Sequence, residues 1–178
     1  MNCTPDMKNY GAACHLARLQ VAVTFADVIG MTGNRLQYLT ANDWVLMQAK
    51  AVRRTFKLGD EIIRQGDWGD SIYIILQGEA SVELAGTGSR AIVAMLGPED
   101  VCGEMAFLEQ GKATATVVAK EEEVEVDEIN AHALREILEA FPRLASRFYR
   151  SLALVMAQRL KATSKELARE MTLRDRRE

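Results

Sequence analysis

Between Val52 and Ile129 the apolar residues recur at every second position in short runs, and glycine returns between the runs. Val52, Arg54 and Phe56 alternate with Arg53, Thr55 and Lys57, while Ala80, Val82 and Leu84 alternate with Ser81 and Glu83. A period of two sends neighbouring side chains to opposite faces, so these runs predict strands with one buried and one wet face. Glu61 to Arg64, Ser71 to Leu76, Ala91 to Leu96, Thr114 to Ala119 and Glu123 to Ile129 add further short strands, with Ile72, Ile74 and Leu76 expected inside. Gly59, Gly66, Gly69, Gly78, Gly86, Gly88 and Gly97 interrupt them. Many short strands with regular turns point to a mainly β fold, an antiparallel β-roll (jelly roll) or barrel. The Ala85-Gly86-Thr87-Gly88 stretch fits a hairpin turn rather than a phosphate loop, since no helix start follows it.

Helical signals flank this region. Thr40 ahead of Asp43 predicts a short N-terminal helix running to about Lys50, because a threonine hydroxyl accepts from an orphan first-turn amide. Asn130 predicts the cap of a second helix carrying Leu134, Ile137 and Leu138 and ending before Pro142. Pro142 suits a first helical position. From there Leu144, Phe148, Leu152, Val155, Met156, Leu160, Leu167 and Met171 form an apolar stripe on a long C-terminal helix over 142–172, roughly 45 Å at 1.5 Å per residue. A rod of that length is expected to exceed what a small roll covers, so Phe148, Leu152, Val155, Leu160 and Leu167 are expected to form a homodimer interface. The expected organisation is an extension over 1–38, the roll with its leading helix over 39–131, and C-terminal helices over 132–178. Within the extension, Leu16, Leu19, Val23 and Ala26 have helical spacing, whereas Val21, Val23, Thr24 and Phe25 suit a strand equally.

Composition removes several functions. A length of 178 residues fits one domain with appendages, and 22 basic against 25 acidic residues leave a net charge of −3. A chain that blankets nucleic-acid phosphates is usually basic, so direct nucleic-acid binding is not expected. No apolar run reaches the roughly 18 residues of a membrane span, and no secretory signal pattern opens the chain. Cys3, Cys14 and Cys102 are too scattered for a disulfide framework, which makes a reducing cytoplasm the expected compartment. His15 beside Cys14 is not a metal-ligand spacing, and His132 stands alone, so no metal is expected. No serine or cysteine sits in a nucleophile elbow, so no catalytic residue is assigned and the chain is not expected to be an enzyme. The acidic run Glu121, Glu122, Glu123, Glu125, Asp127 and Glu128, and the basic residues Arg53, Arg54 and Lys57, fit wet strand faces and turns.

One long pattern is more specific than any of these signals. The run from Leu58 to Val82 places Gly59, Gly66, Gly69-Asp70, Tyr73 and Gly78 at a spacing that resembles the cyclic nucleotide-binding domain family. A second stretch, Leu96-Gly97-Pro98-Glu99-Asp100-Val101-Cys102-Gly103-Glu104-Met105-Ala106-Phe107-Leu108, resembles that family's phosphate-binding cassette, a turn opening a short helix. The resemblance covers about residues 40 to 160. It implies that Glu104 accepts from a ribose 2′-hydroxyl and that the amides around Gly103, Met105 and Ala106 meet a cyclic phosphate. A helix start carries partial positive charge and unpaired donors, which suits that role. The family pairs the phosphate with an arginine inside a pattern like Arg-(Ala/Thr)-Ala-Thr-Val. Here the stretch reads Gly111-Lys112-Ala113-Thr114-Ala115-Thr116-Val117, with Ala113 in the arginine's place.

Loss of a charged hydrogen bond worth about 1.5–3 kcal/mol predicts weakened or lost cAMP or cGMP binding. Lys112 is next to the vacant position, but strand alternation turns it to the other face, and it lacks the planar fork of arginine. Thr114 stands where some cGMP-binding relatives carry a threonine, and it implies no purine preference. Apart from the resemblance, Glu104 fits a residue that caps or ion-pairs its own loop. The expectation is a stand-alone regulatory or sensor module that signals through movement of its C-terminal helix, with Met105 and Phe107 linking cassette to helix, and with a downstream protein partner. The alternatives are a dimeric protein-interaction scaffold that needs no ligand, and a shortened regulator of the cAMP receptor type without its DNA-binding domain.

Overall fold

The computed structural model describes residues 36–85 and 90–175. In chain order they form α1 (Ala41–Gln48), β1 (Ala51–Phe56), β2 (Glu61–Ile63), β3 (Ser71–Gln77), β4 (Ala80–Ala85), β5 (Arg90–Leu96), β6 (Val101–Cys102), α2 (Glu104–Glu109), β7 (Thr116–Ala119), β8 (Val124–Asn130), α3 (Ala131–Ala140) and α4 (Pro142–Asp175). The strands make two four-stranded sheets, ordered β1-β8-β3-β6 and β2-β7-β4-β5, with antiparallel pairings throughout. The fold is the expected antiparallel roll built as two sheets, not a closed barrel. The segment from Gly11 to Ile29 and most of the Ala85–Gly88 turn lie outside the described residues.

Two apolar cores share one sheet. Ile75, Val124, Val126 and Cys102 pack with Ile62, Ala80, Leu96, Val117 and Ala119 of the other sheet. On the opposite face, Ile72, Ile74, Val101 and Ile129 pack with Leu36, Met47, Leu134, Leu144, Phe148 and Leu152. β3 is therefore buried on both faces, Ile72 and Ile74 toward the helices and Ile75 toward the second sheet, while Leu76 is only half-buried.

Several strands depart from simple alternation: β5 is exposed up to Leu96 and β7 is buried throughout. In β4 the expected wet residues Ser81 and Glu83 are buried. The Ser81 hydroxyl donates to Glu83 at 2.7 Å, and Lys120 Nζ donates to the same carboxylate at 2.8 Å, so the charge is compensated where it sits. Edge strand β1 leaves Val52 exposed, and Arg53 and Arg54 form ion pairs with Asp127 at 3.1 Å and Glu128 at 3.0 Å on β8.

The helices start where their caps predict. Thr40 Oγ1 accepts from the Asp43 amide and the Asp43 carboxylate accepts from the Thr40 amide, closing a capping box. Asn130 Oδ1 accepts from the amides of His132 and Ala133.

The stripe on α4 requires a correction. Leu144, Phe148, Leu152 and Val155 are all buried within this one chain, so Phe148, Leu152 and Val155 are core residues and not surface available to a second copy. The roll does not cover them alone. Leu36, α1 and α3 join it. Leu160 and Leu167 remain exposed.

The leading segment is strapped to α4. The Tyr38 amide donates to Ser151 Oγ at 3.0 Å, the Arg150 guanidinium lies 4.0 Å from the Tyr38 ring centroid, and Arg147 donates to both Asp43 oxygens at 2.7 and 2.6 Å. The hydrogen bonds from Arg147 outweigh burial and, with those from Thr40, hold the Asp43 carboxyl down at about 2. A depressed carboxyl contributes stability that is present above its unfolded value near 3.8 and is lost as pH falls through the folded value near 2. The shift corresponds to about 2 kcal/mol. Urea unfolding of wild type and Asp43→Asn should show a stability gap at pH 7 that shrinks by about that amount between pH 4 and pH 2. A gap that stays constant over this range would mean that the pair does not stabilise the fold.

Candidate functional site: the cassette at the start of α2

β6 delivers the chain to Gly103, whose φ is +83°. A side chain there would be strained by the backbone, and its Cβ would lie 2.6 Å from the Ser71 carbonyl oxygen. The turn therefore requires glycine, and it sets Glu104 at the head of α2. A second close approach seats the helix from below, because a Cβ on Gly69 would lie 2.2 Å from the Ala106 Cβ. α2 is thus fixed at its first turn by two backbone contacts that only glycine permits.

Glu104 is 4 % exposed, although a carboxylate leaves water only when it is matched by charge and hydrogen bonds. The match comes from α4, where Arg159 Nη1 donates to Glu104 Oε1 at 2.6 Å while its Nη2 donates to the Val101 carbonyl oxygen. Glu104 therefore does not pair within its own loop. Its partner lies 55 residues away. Phe107, in the next turn of α2, meets Phe148 edge-on with ring centroids 6.1 Å apart, and the Arg135 guanidinium lies 5.5 Å from the Phe107 centroid. Of the two residues expected to link cassette and long helix, Phe107 makes the contact. Met105 is partly exposed, with its sulfur accepting from the Thr114 hydroxyl at 3.7 Å.

The segment after α2 separates the remaining site residues. Ala113 is buried, its amide donating to the Asp67 carbonyl at 2.8 Å and its carbonyl accepting from the Gly66 amide at 2.9 Å. Lys112 and Thr114, on either side, are exposed. Lys112 pairs across an isolated antiparallel bridge with Trp68, which is itself exposed. The structure thus brings Gly103, Glu104 and Ala106 together in one turn and leaves Lys112 exposed beside the buried Ala113. Burial, and secondarily the charge of Glu104, pushes the Cys102 thiol up to about 12, which fits a core filler rather than a nucleophile.

Arg159 was not singled out from the sequence. The signal for it was indirect: a cassette glutamate implies a cation, but nothing local says which of the chain's arginines supplies it. Among the described residues no group of three or more His, Cys, Asp or Glu side chains could hold a metal ion. No helix among them is long and apolar enough to cross a membrane.

This geometry, a glycine turn feeding a buried glutamate at a short helix inside a two-sheet roll, agrees with comparisons to known proteins. The profile of the cyclic nucleotide-binding domain family matches residues 53–141, half of the chain. The chain belongs to the cyclic nucleotide-binding domain family. It is 35 % identical over 118 residues to the cyclic AMP receptor protein of Thermus thermophilus, a match covering 65 % of this chain and 51 % of that protein. It is 32 % identical over 135 residues to cyclic GMP-binding protein C of Dictyostelium discoideum, covering 71 % of this chain and 5 % of that protein. The match therefore spans about half of the first relative, or less. Among solved structures, the Thermus thermophilus catabolite activator protein has a TM-score of 0.62 at 27 % identity, covering 73 % of this chain and 59 % of that one. A cyclic nucleotide-binding domain from Methylobacillus flagellatus reaches a TM-score of 0.70 at 17 % identity, over 77 % of this chain and 82 % of that one, and it supports the fold alone.

Proposed function

We propose that this chain is a regulatory module whose cassette takes cAMP or cGMP with weakened affinity and whose output is the position of α4. The observation that carries this reading is the contact of Arg159 with Glu104. The side chain assigned to the ribose is in direct contact with the helix assigned to the signal. A ligand hydroxyl donating to Glu104 adds a competitor or a partner to that bond, and either changes how firmly α4 is held. Phe107 against Phe148 gives a second, apolar route for the same coupling. Family membership and the named ligands of the relatives support a nucleotide, while Ala113 argues that it is held less tightly than an arginine would hold it. No covalent chemistry is assigned. Titration calorimetry of wild type and Ala113→Arg with cAMP and with cGMP tests the reading. Wild type should bind at least one of the two, and the added arginine should tighten binding by about tenfold or more. A variant that binds neither nucleotide would overturn the assignment of the site.

A second copy is the partner best supported for the exposed part of α4. Leu160 is 68 % and Leu167 59 % exposed, seven positions apart on one helix, and edge strand β5 adds exposed Ile92, Val93 and Met95. Spacing of seven returns both leucines to nearly the same helical face. A dimer held on this face, with or without ligand, also accommodates a scaffold role. Sedimentation velocity should show wild type as a dimer and Leu160→Glu/Leu167→Glu as a folded monomer. Monomers in both cases would remove the proposal.

A further inference from the structure

Since Ala113 contributes no charge, an anionic ligand at the cassette must find its counterion elsewhere, and the position of Arg159 supplies one. We infer that Arg159 of α4 takes over the phosphate-pairing role that the roll itself lacks, so that the charge needed for capture is carried by the signalling helix. This rests on the proposed nucleotide reading of the site and specifies how that site would work in this chain.

Three observations converge on Arg159. Ala113 is buried in the loop between α2 and β7 with both backbone groups bonded, so its position is fixed and it offers only a methyl group. Lys112, the cation adjacent in sequence, is exposed where Ala113 is buried, and its backbone pairs in a bridge with exposed Trp68. Arg159 is anchored at the cassette by two bonds, one to Glu104 and one to the Val101 carbonyl, and its side chain is 26 % exposed where that of Glu104 is 5 %. A guanidinium carries five N–H donors in a planar fork, so two commitments leave donors for a further anion. The arrangement also fits the charge balance. Glu104 and Arg159 together are neutral, and a bridging arginine between a carboxylate and a phosphate is a strong charge-assisted geometry, whereas a phosphate facing Ala113 alone would be desolvated without a partner.

The consequence is a difference in logic. In a roll with its own arginine, capture can precede any movement of the C-terminal helix. Here the nucleotide would bind only with α4 in place, so capture and helix docking become one event.

The test is calorimetry of the full chain, with cAMP and with adenosine as the probe lacking the phosphate, across wild type, Arg159→Gln, Arg159→Lys and Ala113→Arg/Arg159→Gln. Thermal unfolding confirms that each variant is folded. Arg159→Gln should lose about tenfold to a hundredfold in cAMP affinity with adenosine affinity little changed, and Arg159→Lys, which keeps the charge without the fork, should lie between. The double variant should recover cAMP binding, because the charge returns at position 113 within the roll. Equal losses for cAMP and adenosine would mean that Arg159 only supports the fold of the site, and would overturn the inference. So would unchanged cAMP binding in Arg159→Gln. If wild type binds no cAMP while Ala113→Arg does, the nucleotide site stands and the role of Arg159 falls. If neither binds, both fall.

Discussion

Glu104 is a carboxylate withdrawn from water at the head of a six-residue helix, and everything around the cassette is arranged to make that tolerable. Its cation comes from α4 rather than from the roll. Removing one member of a buried ion pair strands the other, at a cost of about 3–5 kcal/mol when both are buried, and less here because Arg159 is partly exposed. That dependence fixes the register of a long helix against a distant turn. α4 is held a second time near its start, where Arg147, Arg150 and Ser151 grip Asp43 and Tyr38. From Ser151 to Arg159 is about 12 Å along the helix axis. The same helix therefore touches both the leading segment and the cassette, and Phe148, within the first of these stretches, also meets Phe107 of the cassette helix. Any ligand that bonds to Glu104 acts on one end of this element.

The backbone of the cassette and its charges follow different rules. Gly103 and Gly69 stand where any side chain would collide with the Ser71 carbonyl or with Ala106, so the shape of the turn is imposed by steric exclusion. The charge is not imposed in that way. Ala113 sits in the loop between α2 and β7, which is held to Asp67 and Gly66 through backbone bonds that do not depend on the side chain. A cassette can thus keep its form while its counterion moves to another element, which is the arrangement we infer for Arg159.

Much of the fold was legible in the sequence because it is written in local terms. The short strand runs punctuated by glycine, the caps at Thr40 and Asn130 and the break at Pro142 each depend on residues within a turn or two of one another. What was not legible depends on partners far along the chain. The two-residue strand β6 has too little pattern to read and exists because β3 pairs with it. Ser81 and Glu83 look like a wet face until Lys120 covers them. The α4 stripe was visible as a stripe, but its covering surface, assembled with Leu36, α1 and α3, was not, so Phe148, Leu152 and Val155 read from the sequence as a surface for a second copy. In the site, the glycines and Glu104 were legible through their resemblance to the family's motifs, while Arg159 was not, since one arginine on a helix carries no local sign of its partner.

The bond between Arg159 and Glu104 joins the cassette to α4. Hydrogen exchange across residues 152–163 of α4 in wild type and in Glu104→Gln tests it most directly. Loss of the carboxylate charge should raise exchange in this stretch while the amides of β3 and β8 keep their protection. Unchanged exchange in α4 would show that the helix is held by its apolar face alone, and that the cassette has no grip on it.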